Sequence, residues 1–271
     1  MSIRQSNTFV AAILAVIGCW FAAPADAQTC HAPSLREPTD NGFHVGVLQM
    51  FAVFSDTESG DYQGLIATLG FRHDWVEAEL ILPAYRLAED GREDIGLGDV
   101  AADARVAVVR TENFSFGPEL AASFPTGDAD RDLGMGHVML MPGAWARLDL
   151  ERFGVLAQLA YGAALGEHDH GEHQNHEHHE AVSGATPRVN PMNTSELEHA
   201  IGLRYALDPA LSVTARWFGG VPLKAAGVAR QILAPGLQLA AGTLDAALEA
   251  QFPLAGDPFD FRLTVAFGSR F

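Results

Sequence analysis

The sequence predicts an all-β fold: a transmembrane antiparallel up-and-down β-barrel of about 12 strands, with long extracellular loops and short periplasmic turns. Three observations carry that expectation. The chain opens with an export signal, its later segments alternate apolar and polar side chains, and its connectors alternate between long and short.

The export signal comes first. Arg4 supplies the positive end, Phe9 to Gly18 an apolar stretch, and Ala25-Asp26-Ala27 an A-x-A cleavage site before Gln28. The stretch is too short to span a bilayer as a helix, which needs about 20 residues. Val16-Ile17-Gly18-Cys19 offers a rival, lipoprotein-like cleavage box. Residues 1–27 are therefore expected to be removed, 28–41 to form a short periplasmic segment, and 42–271 to form the barrel. Cleavage leaves only Cys30, so no internal disulfide can form. In an oxidising compartment its thiol can pair with another chain, bind metal beside His31, or stay inert.

Strands follow. Val100, Ala102, Ala104, Val106 and Val108 oppose Asp99, Ala101, Asp103, Arg105 and Ala107. Phe114, Phe116, Leu120, Ala122 and Phe124 oppose Ser115, Gly117, Glu119 and Ser123. Leu197, His199, Ile201, Leu203 and Tyr205 oppose Glu198, Ala200, Gly202 and Arg204, and Leu211, Val213, Ala215 and Trp217 oppose Ser212, Thr214 and Arg216. Leu244, Ala246, Leu248 and Phe252 oppose Asp245, Ala247, Glu249 and Gln251. At the end Phe259, Phe261, Leu263, Val265, Phe267 and the terminal Phe271 oppose Asp260, Arg262, Thr264 and Arg270. A period of two puts each set on its own face. Exposure of one sheet face to water would give the same pattern. A barrel instead sends the apolar face to lipid and the polar face to a wet lumen.

Connectors decide between these. Long ones are expected near 54–61, 86–96, 125–136, 166–194, 220–226 and 254–258, and short ones near 72–74, 110–113, 150–152, 208–210 and 241–242. A soluble sandwich has no reason to sort them this way. Aromatic residues near predicted strand ends (Phe71, Trp75, Tyr85, Phe114, Phe124, Phe153, Trp217 and Phe252) suit interfacial girdles. The expected place is the outer membrane of a Gram-negative bacterium, with membrane lipid, lipopolysaccharide and the barrel-assembly machinery as partners.

Gly96-Leu97-Gly98-Asp99-Val100, then Phe124-Pro125-Thr126-Gly127, then Gly134-Met135-Gly136-His137 carry a family resemblance. They resemble the outer-membrane transporter family named for the MetA pathway of phenol degradation. The motifs are short and lie between Gly96 and Leu150. The resemblance implies a barrel and uptake or efflux of small organic compounds. It carries over no binding residue.

The net charge of −17 argues against nucleic acid, whose binders need basic patches, and against adhesion to anionic lipid surfaces. Much of the acid falls in the expected outer loops, at Asp56, Glu58, Asp61, Glu89, Asp90, Glu93, Asp94, Asp128, Asp130 and Asp132. Such a mouth attracts cations and can bridge to lipopolysaccharide phosphates through divalent ions. The tract EHDHGEHQNHEHHE adds His168, His170, His173, His176, His178 and His179 among carboxylates. Imidazoles at that density suit Zn, Cu, Ni or Co, although a disordered hydrophilic loop of incidental affinity reads the same.

Asp99, Asp103, Arg105, Glu119, Arg147, Asp149, Glu198, Arg204, Arg216, Asp245, Glu249 and Arg262 are expected to line the lumen. They would either orient a solute or pair across strands to stiffen the wall. Neither G-x-S-x-G nor H-E-x-x-H occurs, so no enzyme is expected; the nearest pair is Ser195 and His199 at a strand top. The function expected is a conduit for small-molecule or metal-ion solutes that requires no cofactor. The alternative is capture or sensing of divalent metal by the His-rich loop on a barrel scaffold.

Overall fold

The computed structural model describes residues 41–55, 59–165, 189, 191–225 and 227–271. Its strands are β1 (Gly42–Phe54), β2 (Gly60–His73), β3 (Val76–Glu89), and β4 in three pieces (Arg92–Leu97, Val100–Val106 and Val109–Arg110). There follow β5 (Phe114–Phe124), β6 (Val138–Leu150), β7 (Phe153–Leu165) and β8 (Ser195–Ala206). The ring is completed by β9 (Leu211–Pro222), β10 (Arg230–Ala241), β11 (Leu244–Ala255) and β12 (Phe261–Arg270). Every strand pairs antiparallel with its sequence neighbours, and β1 pairs with β12 from His44↔Arg270 to Val53↔Phe261. The twelve strands therefore form a closed transmembrane barrel. Closure is what hydrocarbon demands, because an open edge would leave a row of backbone N–H and C=O groups without partners.

The outside of the barrel is apolar. Phe43, Val45, Val47 and Phe51 of β1, Leu65, Leu69 and Phe71 of β2, and Leu237 and Leu239 of β10 are all exposed. Phe267 is 63% exposed, a state no soluble core would leave it in. The alternate residues point inward. They are glycine, alanine, charged residues, or larger apolar side chains that pack on one another.

Connectors at one end, called here the outer end, span 55–59, 90–91, 125–137, 166–194, 223–229 and 256–260. Those at the inner end span 74–75, 111–113, 151–152, 207–210 and 242–243. One expected long loop is absent. Residues 86–96 mostly extend β3 and β4, which pair up to Glu89↔Arg92 around a two-residue turn. Asp90 at φ 48° and Gly91 at φ 79° both occupy the left-handed region that such a turn requires. The Asp-Gly pair was the local signal, and the charge density around it masked the strand.

β4 carries the principal irregularity. Ala84 of β3 pairs with Leu97 and Ile81 with Ala101, so β4 has one extra residue between those pairs. Such a bulge flips the register, and Gly98-Asp99 sits in it. Lower down, the gap between Val106 and Val109 lies against Gly117 of β5, where an added Cβ would collide with the Val106 carbonyl. Glycine there leaves room for the departure of β4 from the ladder.

Candidate functional site in the barrel lumen

The lumen has two unlike halves. Towards the outer end it is filled by an apolar layer. Ala52, Phe54, Tyr62, Tyr85, Leu87, Ala200, Phe218, Ile232 and Ala234 come from the wall, joined by Leu133, Val189 and Phe259 from the connectors. Below this layer lies a cavity of about 370 Å³. Tyr85, Phe218, Val189 and Met50 roof it, and its walls reach the inner rim at His44, Arg72 and Arg270.

Two expected orientations change here. Phe259 turns into the apolar layer instead of towards lipid, because it lies on a connector and not on β12. Tyr85 also faces inward, as its pairing with Gly64 on the lumen side of β2 requires, and so belongs to no girdle.

The cavity wall is a mesh of paired charges. Arg216 donates from Nε to Glu249 Oε2 at 2.7 Å and from Nη2 to Oε1 at 2.5 Å. Gln251 Nε2 donates to Glu249 Oε1 at 2.6 Å, and Arg262 Nε donates to Gln251 Oε1 at 2.5 Å. Arg262 then reaches the Tyr62 hydroxyl with Nη1 at 2.8 Å and lies 4.3 Å over the Phe259 ring. One connected chain thus ties the wall to the roof. Across the cavity Arg105 Nε donates to Glu119 Oε2 at 2.8 Å and stands 3.2 Å from Asp103. Nearer the inner rim Arg72 pairs with Glu77 at 3.2 Å, His44 with Glu79 at 3.5 Å, and Arg270 with Asp245 at 3.6 Å. Forked charged bonds of this sort fix side chains that would otherwise sweep the lumen.

Of the residues picked out from sequence, Asp103, Arg105, Arg147, Asp245, Arg216, Glu249 and Arg262 line the cavity. The other five, Asp99, Glu119, Asp149, Glu198 and Arg204, have different surroundings. Glu119 lies behind Arg105 and also accepts from Gln158 Nε2 at 2.6 Å. Arg204 Nη2 donates to Asp149 at 3.1 Å, close to the inner turns. Glu198 is buried in the outer half. Asp99 is buried too, its Oδ1 accepting from Gly127 N at 3.0 Å and its Oδ2 from Met135 N at 2.6 Å.

Asp99 explains the motifs that carried the family resemblance. Thr126 Oγ1 donates to Gly98 O at 2.8 Å and accepts from Val100 N at 2.8 Å. The bulge in β4 and the two ends of connector 125–137 are therefore clasped together by Asp99 and Thr126. Between the ends, a short 3₁₀ turn (Ala129–Arg131) is capped by Asp128, whose carboxylate accepts from Asp130 N. The connector is held down over the lumen, where Leu133 and Met135 enter it.

No protein-family model matches the chain, and no curated protein matches it in sequence. Solved structures do match in shape. An outer membrane channel from Pseudomonas putida F1 superposes with a TM-score of 0.64 at 16% identity, over 89% of this chain and 99% of that one. The fold is an outer-membrane barrel. The translocator domain of the autotransporter NalP from Neisseria meningitidis is more distant, with a TM-score of 0.49 at 14% identity, over 87% of this chain and 90% of that one. The CymD monoaromatic hydrocarbon channel gives 0.44 at 11%, over 86% and 89%.

Several barrel residues escaped the sequence reading. His44, Arg72, Glu77 and Glu79 all line the cavity, and Glu196 and Arg230 are fully buried in the outer half. The same alternation on β1, β2, β3, β8 and β10 places them inward, and extending it there would have found them.

The imidazole tract holding His168, His170, His173, His176, His178 and His179 lies outside the described residues, as do Cys30 and the export signal. Among the described residues no group of three or more His, Cys, Asp or Glu is placed to hold a metal ion. Ser195 Oγ lies 3.4 Å from the Tyr161 hydroxyl, and His199 Nε2 lies 3.3 Å from Gln231 Oε1 with its ring 4.6 Å from that of Trp217. Each has a partner other than the other, on the outward face of β8.

Proposed function

We propose that this barrel sits in the outer membrane of a Gram-negative bacterium and conducts small solutes between the medium and the periplasm. The observation that carries the reading is the construction of the lumen seal. Three side chains of the apolar layer, Leu133, Val189 and Phe259, belong to connectors and not to strands. They can withdraw without breaking a ladder hydrogen bond, whereas the wall beneath them is rigidly cross-linked. The cavity under the seal offers an apolar roof and charged walls, which suits small polar or amphipathic organic solutes. The motif resemblance to the MetA-pathway family and the shape likeness to an outer membrane channel support the same reading.

Planar-bilayer recording of the refolded protein tests it. Wild type should give low, intermittent conductance, and Phe259→Ala should raise the open fraction several-fold. Absence of solute flux from both proteins would overturn the proposal. The acidic mouth further leads us to expect cation preference, and a reversal potential of the opposite sign would remove that part.

A second reading, divalent-metal capture by the outer His-rich tract, rests on the density of imidazoles in EHDHGEHQNHEHHE. Deleting residues 167–180 should leave conductance unchanged and abolish Zn, Cu, Ni or Co retention. Undiminished retention after deletion would exclude it. Export by removal of residues 1–27, contact with lipopolysaccharide, and insertion by the barrel-assembly machinery through the strand ending at Phe271 belong to the same proposal.

A further inference from the structure

Four of the six methionines come together. Met135 and Met192 from connectors and Met139 and Met141 from the lumen face of β6 are buried in one cluster with Ala121 and Ala160. The cluster lies in the outer half of the lumen and lines no part of the cavity. Methionine often fills irregular core gaps, and that role alone would predict purely apolar surroundings. The surroundings are not apolar.

Beside β6, the successive inward residues of β7 are small: Ala160, Gly162 and Ala164. Beyond them β8 turns Glu196 and Glu198 inward, with Glu196 paired to Gly162 and Glu198 to Ala160. A Cβ on Gly162 would stand 3.2 Å from Met139 Cε, 3.4 Å from Glu196 Cγ and 3.5 Å from Glu198 Oε1. Thioether and carboxylate side chains thus meet above a strand that leaves them room.

Glu196 is 0% exposed and Glu198 6%. Glu196 Oε2 accepts from Asn193 Nδ2 at 2.6 Å, from Asn193 N at 3.3 Å and from Arg230 Nη2 at 3.5 Å. The Oε1 atoms of both glutamates are shielded from solvent and have no hydrogen-bond partner among the described residues. Two carboxyl groups face one guanidinium, so one of them is left to be balanced by a proton or by a bound cation, because an unbalanced charge is costly there.

We propose that Met135, Met139, Met141 and Met192, with Glu196 and Glu198 beside them, bind a soft monovalent cation, copper(I) or silver(I). Uncharged thioethers are donors that select such ions over hard ones. Calcium would instead need six or more oxygen ligands, which this corner does not supply. One positive charge takes the place of the proton on the second carboxyl, which leaves to solvent as the cation binds. The site is separate from the solute cavity and from the imidazole tract, so its success or failure does not decide either earlier reading.

Silver(I) titration of the refolded full-length protein tests the proposal, with the Cys19 and Cys30 thiols alkylated beforehand. Working at about pH 5.5 keeps imidazoles largely protonated and out of competition, while thioethers do not titrate. One silver ion per chain should bind. Met139→Leu with Met141→Leu conserves volume and should weaken that affinity at least about tenfold, and Glu198→Gln should weaken it by a comparable factor. A heat-dependent gel shift reports folding of each variant. If the double variant fails to fold, Met192→Leu on the connector replaces it and should lower the affinity severalfold. Absence of stoichiometric binding, or an affinity unchanged within about twofold in the folded methionine variants, overturns the assignment.

Discussion

Asp257 shows how one side chain ties the seal to its surroundings. It lies in connector 256–260, and its Oδ1 is buried without a hydrogen-bond partner among the described residues, although the residue keeps some exposure. Burial pushes its carboxyl up to about 6, against the opposing pull of Arg262, Arg230 and a backbone bond at Phe259. Below about pH 4 the group is protonated whether or not the chain is folded, so it costs nothing. Between about pH 4 and 6 the unfolded chain gives up this proton while the folded chain still holds it, so stability falls by up to about 3 kcal/mol and levels off above that range. Heat-dependent gel shifts should therefore occur at lower temperature at about pH 7.5 than at about pH 4.5. In Asp257→Asn that difference should shrink, and an unaltered difference would show that another group titrates. Arg216 and Glu249 allow a second residue-level prediction. Their forked pair (2.5 and 2.7 Å) implies that Arg216→Ala alone destabilises by about 1–3 kcal/mol. Adding Glu249→Ala should restore part of the loss, and a strictly additive double variant would mean the two do not cooperate.

Among the elements, β4 is the one whose defect is useful. Its extra residue turns Asp99 inward, out of step with the exposed Ile95 and Leu97, and under connector 125–137, where two backbone N–H groups meet its carboxylate. Charge-assisted bonds of this kind contribute about 1.5–3 kcal/mol each, and their loss strands buried donors. Asp99→Ala should free the connector without opening the ring. Limited proteolysis should then cut within 125–137 while the gel shift on boiling persists; full resistance to cleavage would show that the clasp is dispensable. Thr126→Val, which removes two bonds at 2.8 Å, should act in the same direction and more weakly. Alternation in the sequence carried the strands themselves but not this bulge, because a one-residue insertion looks locally like two short strands.

For the whole molecule, closure by β1 with β12 predicts resistance to detergent at room temperature. The unboiled protein should migrate faster than the boiled one, since a closed ring of paired strands opens only by global rupture. Identical mobilities would contradict a closed barrel. The inner half of the lumen holds the cavity and is braced by ion pairs, and the outer half is filled by side chains, some of them from connectors. In the proposed conduit, that division makes opening a matter of connectors and leaves the wall intact.

Sequence alone determined the strand faces, the strand number and, apart from the expected long loop at 86–96, the sorting of connectors. All three follow from a side-chain period of two that lipid on one side and a lumen on the other enforce along each strand. It also determined which charges point inward wherever the alternation was followed. Only the tertiary structure decided which of those charges reach a cavity, that Phe259 and Tyr85 turn inward, that Asp99 serves a connector, and that methionines far apart in the chain meet two glutamates. Those outcomes depend on the stagger between strands and on how connectors fold back into the ring. Both are set by contacts between residues remote in sequence, which no local period encodes.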